Sequence, residues 1–390
     1  MKTRPTTLTA IGLTAVLALS ACNSDNNKKG TAAKSDATSP AIAASGSDST
    51  APGAGSGATG GASSGATGDC GSGALKGAGS TFQKPIEEQW IADFGDKCKD
   101  AQIDYQGVGS GAGKAQFGEG TVDFAGSDST LKDDEAAKAK ARCKDNAAIH
   151  IPITAGAAVV TYNLKGVDKL ALSAPVIAGI YNGEITKWDD AKIKTDNPGV
   201  TLPSTGIQAF HRSDKSGTTK IFTSFLDKNS GGSWKLGAEE ELTWKGGQGG
   251  KGSDGVTAGV KQTDGGVGYV EANFAQVNKL PVAKIKGSGS DFVAADGDSI
   301  SKALASATVE GEGSDVKVKI DYATKAAGAY PLSAVTYVIV CSKSNANAPL
   351  LKAYLGYVTT TGQKVTNQLG YAPLPEALAG KVKAAIESIA

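Results

Sequence analysis

The stretch His211-Arg212-Ser213-Asp214-Lys215-Ser216-Gly217-Thr218, followed at once by an apolar run, predicts a polar turn that leads into a helix. The guanidinium of Arg212 offers two parallel N–H donors to an oxyanion. Ser216, Gly217 and Thr218 offer backbone N–H groups and hydroxyls at the positive end of the helix. The stretch therefore indicates an anion-binding turn at the start of a helix.

The pattern around this turn extends through the chain, because short apolar runs typical of strands alternate with helical patterns. This alternation predicts an α/β fold. Residues 159–162 and 335–340 are predicted to be buried strands, and the glycine-rich region 246–266 a loop with short elements. Three helices are predicted from apolar residues at helical spacing: Ile86, Trp90 and Phe94; Leu350, Leu351, Tyr354 and Leu355; Val382, Ile386 and Ile389.

The N-terminal 22 residues are predicted to be a lipoprotein signal peptide. Lys2 and Arg4 precede a short apolar stretch, which ends at Leu19-Ser20-Ala21-Cys22. The apolar stretch is too short to span a bilayer as a mature helix. An ordinary secretory signal that contains a cysteine is the alternative. We expect an exported protein, anchored by a lipid on Cys22 to the outer face of the cell membrane.

Composition divides the rest of the chain into a tether and a globular part. Residues 23–69 are almost all small or polar and cannot bury a core, which predicts a disordered tether. Residues 70–390 have the composition of a globular protein. A segment of this length exceeds what a single hydrophobic core usually supports, so two lobes are expected. The formal net charge is +1, and no basic tract is present, which argues against nucleic-acid binding.

Four cysteines lie in the globular part: Cys70, Cys98, Cys143 and Cys341. An even number in an exported chain favours two disulfides, and three pairings are possible. We favour Cys98 with Cys143 and Cys70 with Cys341. The cysteine spacings are wide and the only histidines are His150 and His211, so neither a metal site nor a cofactor is expected.

Two further glycine-rich turns, residues 77–82 and 107–113, each precede a helical pattern. Three helix N-termini converging on one point would make a strong anion site. The second turn resembles a nucleotide-binding P-loop, since it ends in Gly113-Lys114. It lacks the glycine required at Val108 and the hydroxyl required at Ala115, so that reading is set aside.

Two carboxylates accompany these turns. Asp128, in the segment 123–128, is either a solvated turn residue or an acceptor for a proton carried by the ligand. A protonated phosphate oxygen donates a hydrogen bond to such an acceptor, whereas sulfate at neutral pH has no proton to donate, so the carboxylate would select phosphate. Asp214 is predicted to pair with Arg212 and to orient its guanidinium.

A hydrolase built on His211 is disfavoured. His211 and Arg212 are neighbours on an extended chain, so their side chains should point in opposite directions. No Gly-x-Ser-x-Gly sequence lies convincingly between a strand and a helix. A structural or surface role is predicted for His211.

The motifs together resemble the phosphate-binding lipoprotein of the bacterial high-affinity ABC phosphate importer, a member of the periplasmic-binding-protein superfamily. The resemblance runs from about Leu75 to the C-terminus. It rests on six ordered segments, at residues 77–82, 105–111, 123–128, 180–188, 212–218 and 266–270.

This resemblance implies a two-lobed Venus-flytrap fold that closes around phosphate. By position, the ligand contacts would be Thr81, the backbone of Phe82, Ser110, Asp128, Arg212, Ser216, Gly217 and Thr218. Asp128 would accept a proton from phosphate, and Asp214 would pair with Arg212. The resemblance further implies that the first lobe comprises residues 70–154 and 336–390 and the second residues 155–335. Two chain crossings, near 151–153 and 335–337, would form the hinge.

The function implied is a receptor that hands phosphate to the membrane permease of an ABC importer, works as a monomer and carries out no chemistry. An extracellular phosphatase on a related scaffold is one alternative, but no nucleophile or metal ligand is evident near the anion site. A receptor for another tetrahedral oxyanion, such as sulfate, is the other alternative, and the presence of both Asp128 and Arg212 argues against it.

Overall fold

The computed structural model describes residues 70–390. The predicted signal peptide, its Cys22 and the tether 23–69 lie outside the described residues. Within the described part, no helix is both long and apolar enough to cross a membrane.

Strands and helices alternate along the chain, which confirms the predicted α/β class. The strands are β1 (Gly73–Gly79), β2 (Ala101–Gly107), β3 (Phe124–Ser127), β4 (Ala148–Asn163), β5 (Ala171–Ser173), β6 (Gln208–Arg212), β7 (Gln248–Gly250), β8 (Gly266–Glu271), β9 (Lys284–Lys286), β10 (Thr308–Val309), β11 (Val318–Lys319) and β12 (Ser333–Cys341).

The helices pack mainly over the faces and ends of these strands. They are α1 (Lys84–Lys97), α2 (Ser110–Glu119), α3 (Asp133–Arg142), α4 (Ala174–Tyr181), α5 (Ala191–Asp196), α6 (Gly217–Asn229), α7 (Gly252–Gln262), α8 (Ala272–Val277), α9 (Gly297–Leu304), α10 (Ala348–Val358) and α11 (Glu376–Ser388), with 3₁₀ turns at Thr361–Val365 and Asn367–Leu369.

Local sequence signals explain where the predicted helices begin. A proline lies in the first turn of α1, where its missing N–H costs nothing, and Ile86, Trp90 and Phe94 form the buried face of that helix. The Ser216 hydroxyl accepts the Thr219 N–H at 3.3 Å and caps α6. These signals explain why α1 and α6 begin where they do.

One eight-stranded sheet organises the fold, in the order β2-β1-β3-β12-β4-β8-β6-β7. Strand β4 joins its two halves: residues 148–157 pair antiparallel with β12, and residues 158–163 pair antiparallel with β8. All but the two end residues of β4 are buried, as are all residues of β12. Strands covered on both faces read as continuous apolar runs, which is why the sequence identified them.

The pairing of β4 with β12 is irregular at the place where the hinge is predicted. Thr336 pairs with Thr154, but Tyr337 pairs with Pro152, so Ile153 has no partner in the register. Proline lacks a backbone N–H and within a sheet is tolerated at such a bulge. The predicted lobe boundaries fall within these two strands and remain predictions.

The glycine-rich region 246–266 contains more regular structure than predicted, because α7 occupies eleven of its residues. Ser253, Val256 and Val260 lie on the buried face of that helix. A Cβ at Gly259 would lie only 2.5 Å from the ring of Phe210, so the glycine permits close packing of the helix on β6. Tertiary contact has overridden the low helix propensity of glycine.

The favoured disulfide pairing is wrong, since the structure pairs Cys70 with Cys98 and Cys143 with Cys341. Cys70 and Cys98 each precede one of the parallel neighbours β1 and β2, so their positions are adjacent. Cys143 follows α3 and Cys341 ends β12; both lie in a small separate core beside Phe117. Strand adjacency, which the cysteine spacing does not encode, decided the pairing.

Candidate functional site

The predicted site residues lie at the carboxyl ends of strands. Thr81 and Phe82 follow β1, Ser110 follows β2, and Asp128 follows β3. In the other half of the sheet Arg212 ends β6, and the turn after it leads to α6. Strands β1, β2 and β3 are parallel to one another, whereas β6 runs in the opposite direction, because its parallel neighbour β8 is antiparallel to β4. In both halves the residues lie at the carboxyl ends of strands, where α/β sheets commonly bind ligands.

Asp128 is buried and surrounded by hydroxyl groups. Ser80 Oγ lies 2.6 Å from Oδ1 and 2.7 Å from Oδ2, and Thr336 Oγ1 donates to Oδ1 at 2.7 Å. Ser110 Oγ lies 3.3 Å from Oδ2. The Ser80 hydroxyl has one hydrogen, so Oδ2 retains acceptor capacity on the side of Ser110.

Burial controls the charge state of this carboxyl. It raises the pKa of Asp128 to about 6, against the opposing effect of the hydrogen bonds from Ser80 and Thr336. The group therefore loses its proton near neutral pH and becomes a hydrogen-bond acceptor.

Arg212 and Asp214 form the predicted pair. Arg212 Nε donates to Asp214 Oδ1 at 2.8 Å, and Nη2 donates to Oδ2 at 2.5 Å. Burial alone would lower the pKa of Arg212, but the hydrogen bonds and charge of Asp214 raise it. The remaining nitrogen, Nη1, lies 3.4 Å from Thr218 Oγ1 and 3.3 Å from Ser253 Oγ. The pair thus holds a rigid cation whose free edge faces the start of α6.

The two halves of the site are in contact at Gly217. A Cβ placed on this glycine would lie 2.6 Å from Asp128 Oδ2 and 2.7 Å from Ser110 Oγ. On the neighbouring side, Thr81 Oγ1 and Ser253 Oγ share a hydrogen bond of 2.9 Å. The structure thus brings residues from the carboxyl ends of β1, β2, β3 and β6 to one point.

Backbone N–H groups are also directed there. Gly217 and Thr218 are the first residues of α6, and Ser110 is the first of α2, so their N–H groups have no intrahelical acceptor. Phe82 is buried, its carbonyl accepts from Tyr371 Oη at 2.6 Å, and no hydrogen bond within residues 70–390 uses its N–H. Such donors and the helix dipoles suit an anion.

A buried network of four charged side chains lies beside the site. Lys114 Nζ lies 2.7 Å from Glu240 Oε1 and 2.9 Å from Glu135 Oε2, and its side chain is 0% exposed. Lys215 also contacts Glu135, and lies 3.5 Å from Glu240 Oε2. Burial would raise the pKa of Glu135, but hydrogen bonds, first from Lys215, lower it to about 2. The network joins α2 and α3 to the segments around Lys215 and Glu240.

Sequence reasoning missed four side chains of the site: Ser80, Ser253, Glu271 and Thr336. Ser80 lies inside a glycine-rich turn that the sequence did identify, and Glu271 directly follows a recognised motif, so a signal existed for both. Thr336 is a polar residue in a mostly apolar strand, and Ser253 lies in the region expected to be a loop. These two become visible only when the chain is folded.

His211 is not part of the site. Its ring stacks on Trp244 with centroids 4.6 Å apart, and Nδ1 lies 3.0 Å from the carbonyl oxygen of Arg212. This arrangement agrees with the predicted structural role. Within residues 70–390, no group of three or more His, Cys, Asp or Glu side chains is placed to hold a metal ion.

Comparison with known proteins places the chain among binding proteins. The family model described as a PBP superfamily domain matches residues 64–361. The chain is 38% identical over 318 residues to phosphate-binding protein PstS 3 of Mycobacterium tuberculosis (strain ATCC 25618 / H37Rv), covering 80% of this chain and 86% of that protein. It is 37% identical over 387 residues to PstS 3 of Mycobacterium leprae (strain TN), covering 98% of each.

Solved structures agree with the fold. A high-affinity periplasmic phosphate-binding protein (PfluDING) bound with phosphate matches with a TM-score of 0.65 at 20% identity, covering 80% of this chain and 93% of that one. A phosphate-binding protein from Stenotrophomonas maltophilia matches with a TM-score of 0.61 at 21% identity, covering 80% and 94%. These matches confirm the expected two-lobed periplasmic-binding-protein fold. By its family model and its mycobacterial relatives, the chain belongs to the PstS phosphate-binding protein family of the periplasmic-binding-protein superfamily.

Proposed function

We propose that this protein is an extracytoplasmic receptor that binds inorganic phosphate and delivers it to the permease of an ABC importer. The observation that carries the proposal is the position of a buried acceptor, Asp128, directly opposite Gly217 at the start of α6. A site that combines one hydrogen-bond acceptor with a set of hydrogen-bond donors suits an anion that still carries a proton. Its relatives are named phosphate-binding proteins, which supports the same ligand.

The proposed contacts are the eight residues that the resemblance implies. Arg212 and the N–H groups of Phe82, Gly217 and Thr218 would donate to phosphate oxygens, joined by hydroxyls of Thr81, Ser110 and Ser216. Ser216 also caps α6, so its oxygen is occupied as an acceptor while its hydrogen remains free to donate. The protein would bind its ligand without changing it.

Selection of phosphate over sulfate would depend on Asp128. A site built to hydrogen-bond a ligand hydroxyl rejects an analogue lacking it by about 10⁴-fold or more, because the buried acceptor is then left unpaired against a negative oxygen. Since Asp128 already accepts hydrogen bonds from Ser80 and Thr336, it cannot rotate away to avoid that oxygen.

Movement and attachment complete the proposal. The bulge opposite Thr336 lies where both crossing strands would bend, so the lobes 70–154 with 336–390 and 155–335 would open there and close on phosphate. The lipid on Cys22 would hold a monomeric receptor at the outer face of the cell membrane, and the tether 23–69 would let it reach the permease.

Calorimetry with phosphate, arsenate and sulfate tests the proposal. Phosphate at about a hundredfold excess over its dissociation constant should raise the free energy of unfolding by about 2.7 kcal/mol. Asp128→Asn should erode the preference for phosphate over sulfate, because an amide can also donate. Asp123→Asn is the matched control, since Asp123 lies at the opposite end of β3 and accepts from the Lys76 N–H at 2.8 Å. Absence of phosphate binding would refute the proposal, and unchanged selectivity in Asp128→Asn would refute the role of that residue.

A further inference from the structure

Ser253 lies at the anion site, although it is not among the proposed ligand contacts. It is the second residue of α7 and is 0% exposed. Its Oγ lies 2.9 Å from Thr81 Oγ1 and 3.3 Å from Arg212 Nη1. Both neighbours are proposed ligand contacts, and they come from different proposed lobes, Thr81 from the first and Arg212 from the second. Ser253 therefore connects a ligand contact of one lobe to a ligand contact of the other.

The direction of these two bonds follows from the number of hydrogens available. A serine or threonine hydroxyl has one hydrogen and two lone pairs, and a guanidinium can only donate. The bond from Arg212 Nη1 therefore occupies a lone pair of Ser253 Oγ and leaves the hydroxyl hydrogen free. Among residues 70–390, Thr81 Oγ1 is the only acceptor within hydrogen-bond distance of that hydroxyl. Arg212 thus donates to Ser253, and Ser253 donates to Thr81.

This direction determines what the Thr81 hydroxyl can offer to a ligand. One of its lone pairs is occupied by Ser253, and it makes no other hydrogen bond within residues 70–390. Its hydrogen is therefore available to an oxyanion. With the opposite direction, Thr81 would give its hydrogen to Ser253 and present only lone pairs, which repel a negative oxygen. In a buried place, hydrogen bonds that follow one another from a cation strengthen each donor along the chain.

The start of α7 is fixed by the same carboxylate that orients Arg212. The N–H of Gly252 donates to Asp214 Oδ1 at 3.0 Å, and that oxygen also accepts from Arg212 Nε at 2.8 Å. A Cβ at Gly252 would lie 3.4 Å from Thr81 Cγ2, so the backbone of this turn is close to Thr81. Asp214 therefore holds the guanidinium and the Ser253 hydroxyl in a fixed relation to each other.

We propose that Ser253 is a positioning residue for anion binding: it accepts from Arg212, donates to Thr81 across the cleft between the lobes, and so keeps the Thr81 hydrogen directed to the ligand. The inference rests on the proposed function. When the lobes separate, Thr81 loses the hydrogen bond from Ser253, so this arrangement of donors is complete only in the closed protein. Ser253 thereby couples ligand binding to closure and acts through Thr81.

A double-mutant cycle tests this role by calorimetry with inorganic phosphate. Ser253→Ala should lower the phosphate affinity by about tenfold, the effect of one hydrogen bond in a charged environment. Thr81→Val removes the hydroxyl that Ser253 directs, so adding Ser253→Ala to it should change the affinity by less than about twofold. Losses that multiply in the double variant would overturn the inference and leave the proposed function intact. Absence of phosphate binding by the wild-type protein would overturn the proposed function itself.

Ser253→Cys separates the hydroxyl from the space that it fills. A thiol is a weak donor and a weak acceptor, so this variant should lose about as much phosphate affinity as Ser253→Ala although the space stays occupied. Wild-type affinity in Ser253→Cys would contradict the inference, because packing alone would then account for the loss in Ser253→Ala.

Ser230→Ala is the matched control. Ser230 is also buried, and its Oγ accepts from the Trp234 N–H at 3.0 Å. It lies just beyond the C-terminal end of α6, whereas the anion site lies at the start of that helix. The phosphate affinity of this variant should stay within about twofold of the wild type. A loss equal to that in Ser253→Ala would show that removing any buried serine hydroxyl has this effect, and would overturn the assignment.

Discussion

Gly217→Ala is the sharpest test of how closely the two halves of the site meet. The added Cβ would lie 2.6 Å from both Cβ and Oδ2 of Asp128 and 2.7 Å from Ser110 Oγ. Real Cβ atoms essentially never approach other atoms that closely, so part of the interface must move. Asp128 cannot yield by rotating, because Ser80 and Thr336 hold its carboxylate. The clash therefore destabilises the closed arrangement, in which the two halves of the site are in contact.

The magnitude follows from the cost of overpacking. One extra methyl group in a well-packed interior costs about 1–3 kcal/mol. At about 1.4 kcal/mol per factor of ten, phosphate affinity should fall by about 5-fold to about 150-fold. The ligand-free protein should keep its melting temperature, because the predicted hinge lets the two surfaces separate when no ligand holds them.

Calorimetry for affinity and calorimetric melting for stability are the assays, with Gly356→Ala as control. Gly356 lies in α10 and has no atom within 4 Å of an added Cβ. That variant should bind phosphate normally and gain about 0.5–1 kcal/mol in stability from the better helix former. Wild-type affinity in Gly217→Ala would show that the two surfaces do not meet around the ligand as the structure has them.

Three further predictions follow from buried groups and cross-links. Lys114→Met should leave Glu135 and Glu240 with only the partly exposed Lys215 as a cation and weaken closure by about 3 kcal/mol, seen as faster phosphate release in stopped flow; an unchanged release rate would contradict this. Removing the Cys143–Cys341 disulfide, whose cysteines are 198 residues apart, should lower the free energy of unfolding by about 5 kcal/mol. Removing the Cys70–Cys98 disulfide, whose cysteines are 28 residues apart, should lower it by about 4 kcal/mol. Equal or reversed losses in denaturant melts would refute this ranking. For Asp128, a folded pKa raised to about 6 from 3.8 means that stability falls as pH rises between those values. Asp128→Asn should therefore stabilise the ligand-free protein by about 3 kcal/mol at pH 7 but not at pH 3, and an equal effect at both pH values would argue against a buried charge.

Much of the local structure could be predicted because its causes are local. Apolar spacing identified α1, α10 and α11, and continuous apolar runs identified β4 and β12. The grouping of a guanidinium, a helix cap and a helix N-terminus at the Arg212 turn was also evident, since all three come from a short run of the sequence.

What remained unpredictable depends on strands that are distant in sequence and adjacent in space. The disulfide pairing was wrong because β1 lies beside β2, and β12 beside β4, which no cysteine spacing reveals. Helix α7 was underestimated because Gly259 is required for close packing on β6, not for chain flexibility.

The sequence by itself determined which chemical groups are available for an anion and which segments carry them, because caps, turns and periodicity act over a few residues. Only the tertiary structure decided what those groups can do. Ser80 and Thr336 hold the Asp128 carboxylate in a buried place, and the Thr218 hydroxyl donates its hydrogen to Glu271. Each of these contacts joins residues at least 48 positions apart, so the hydrogen-bonding direction of the site is a property of the folded sheet.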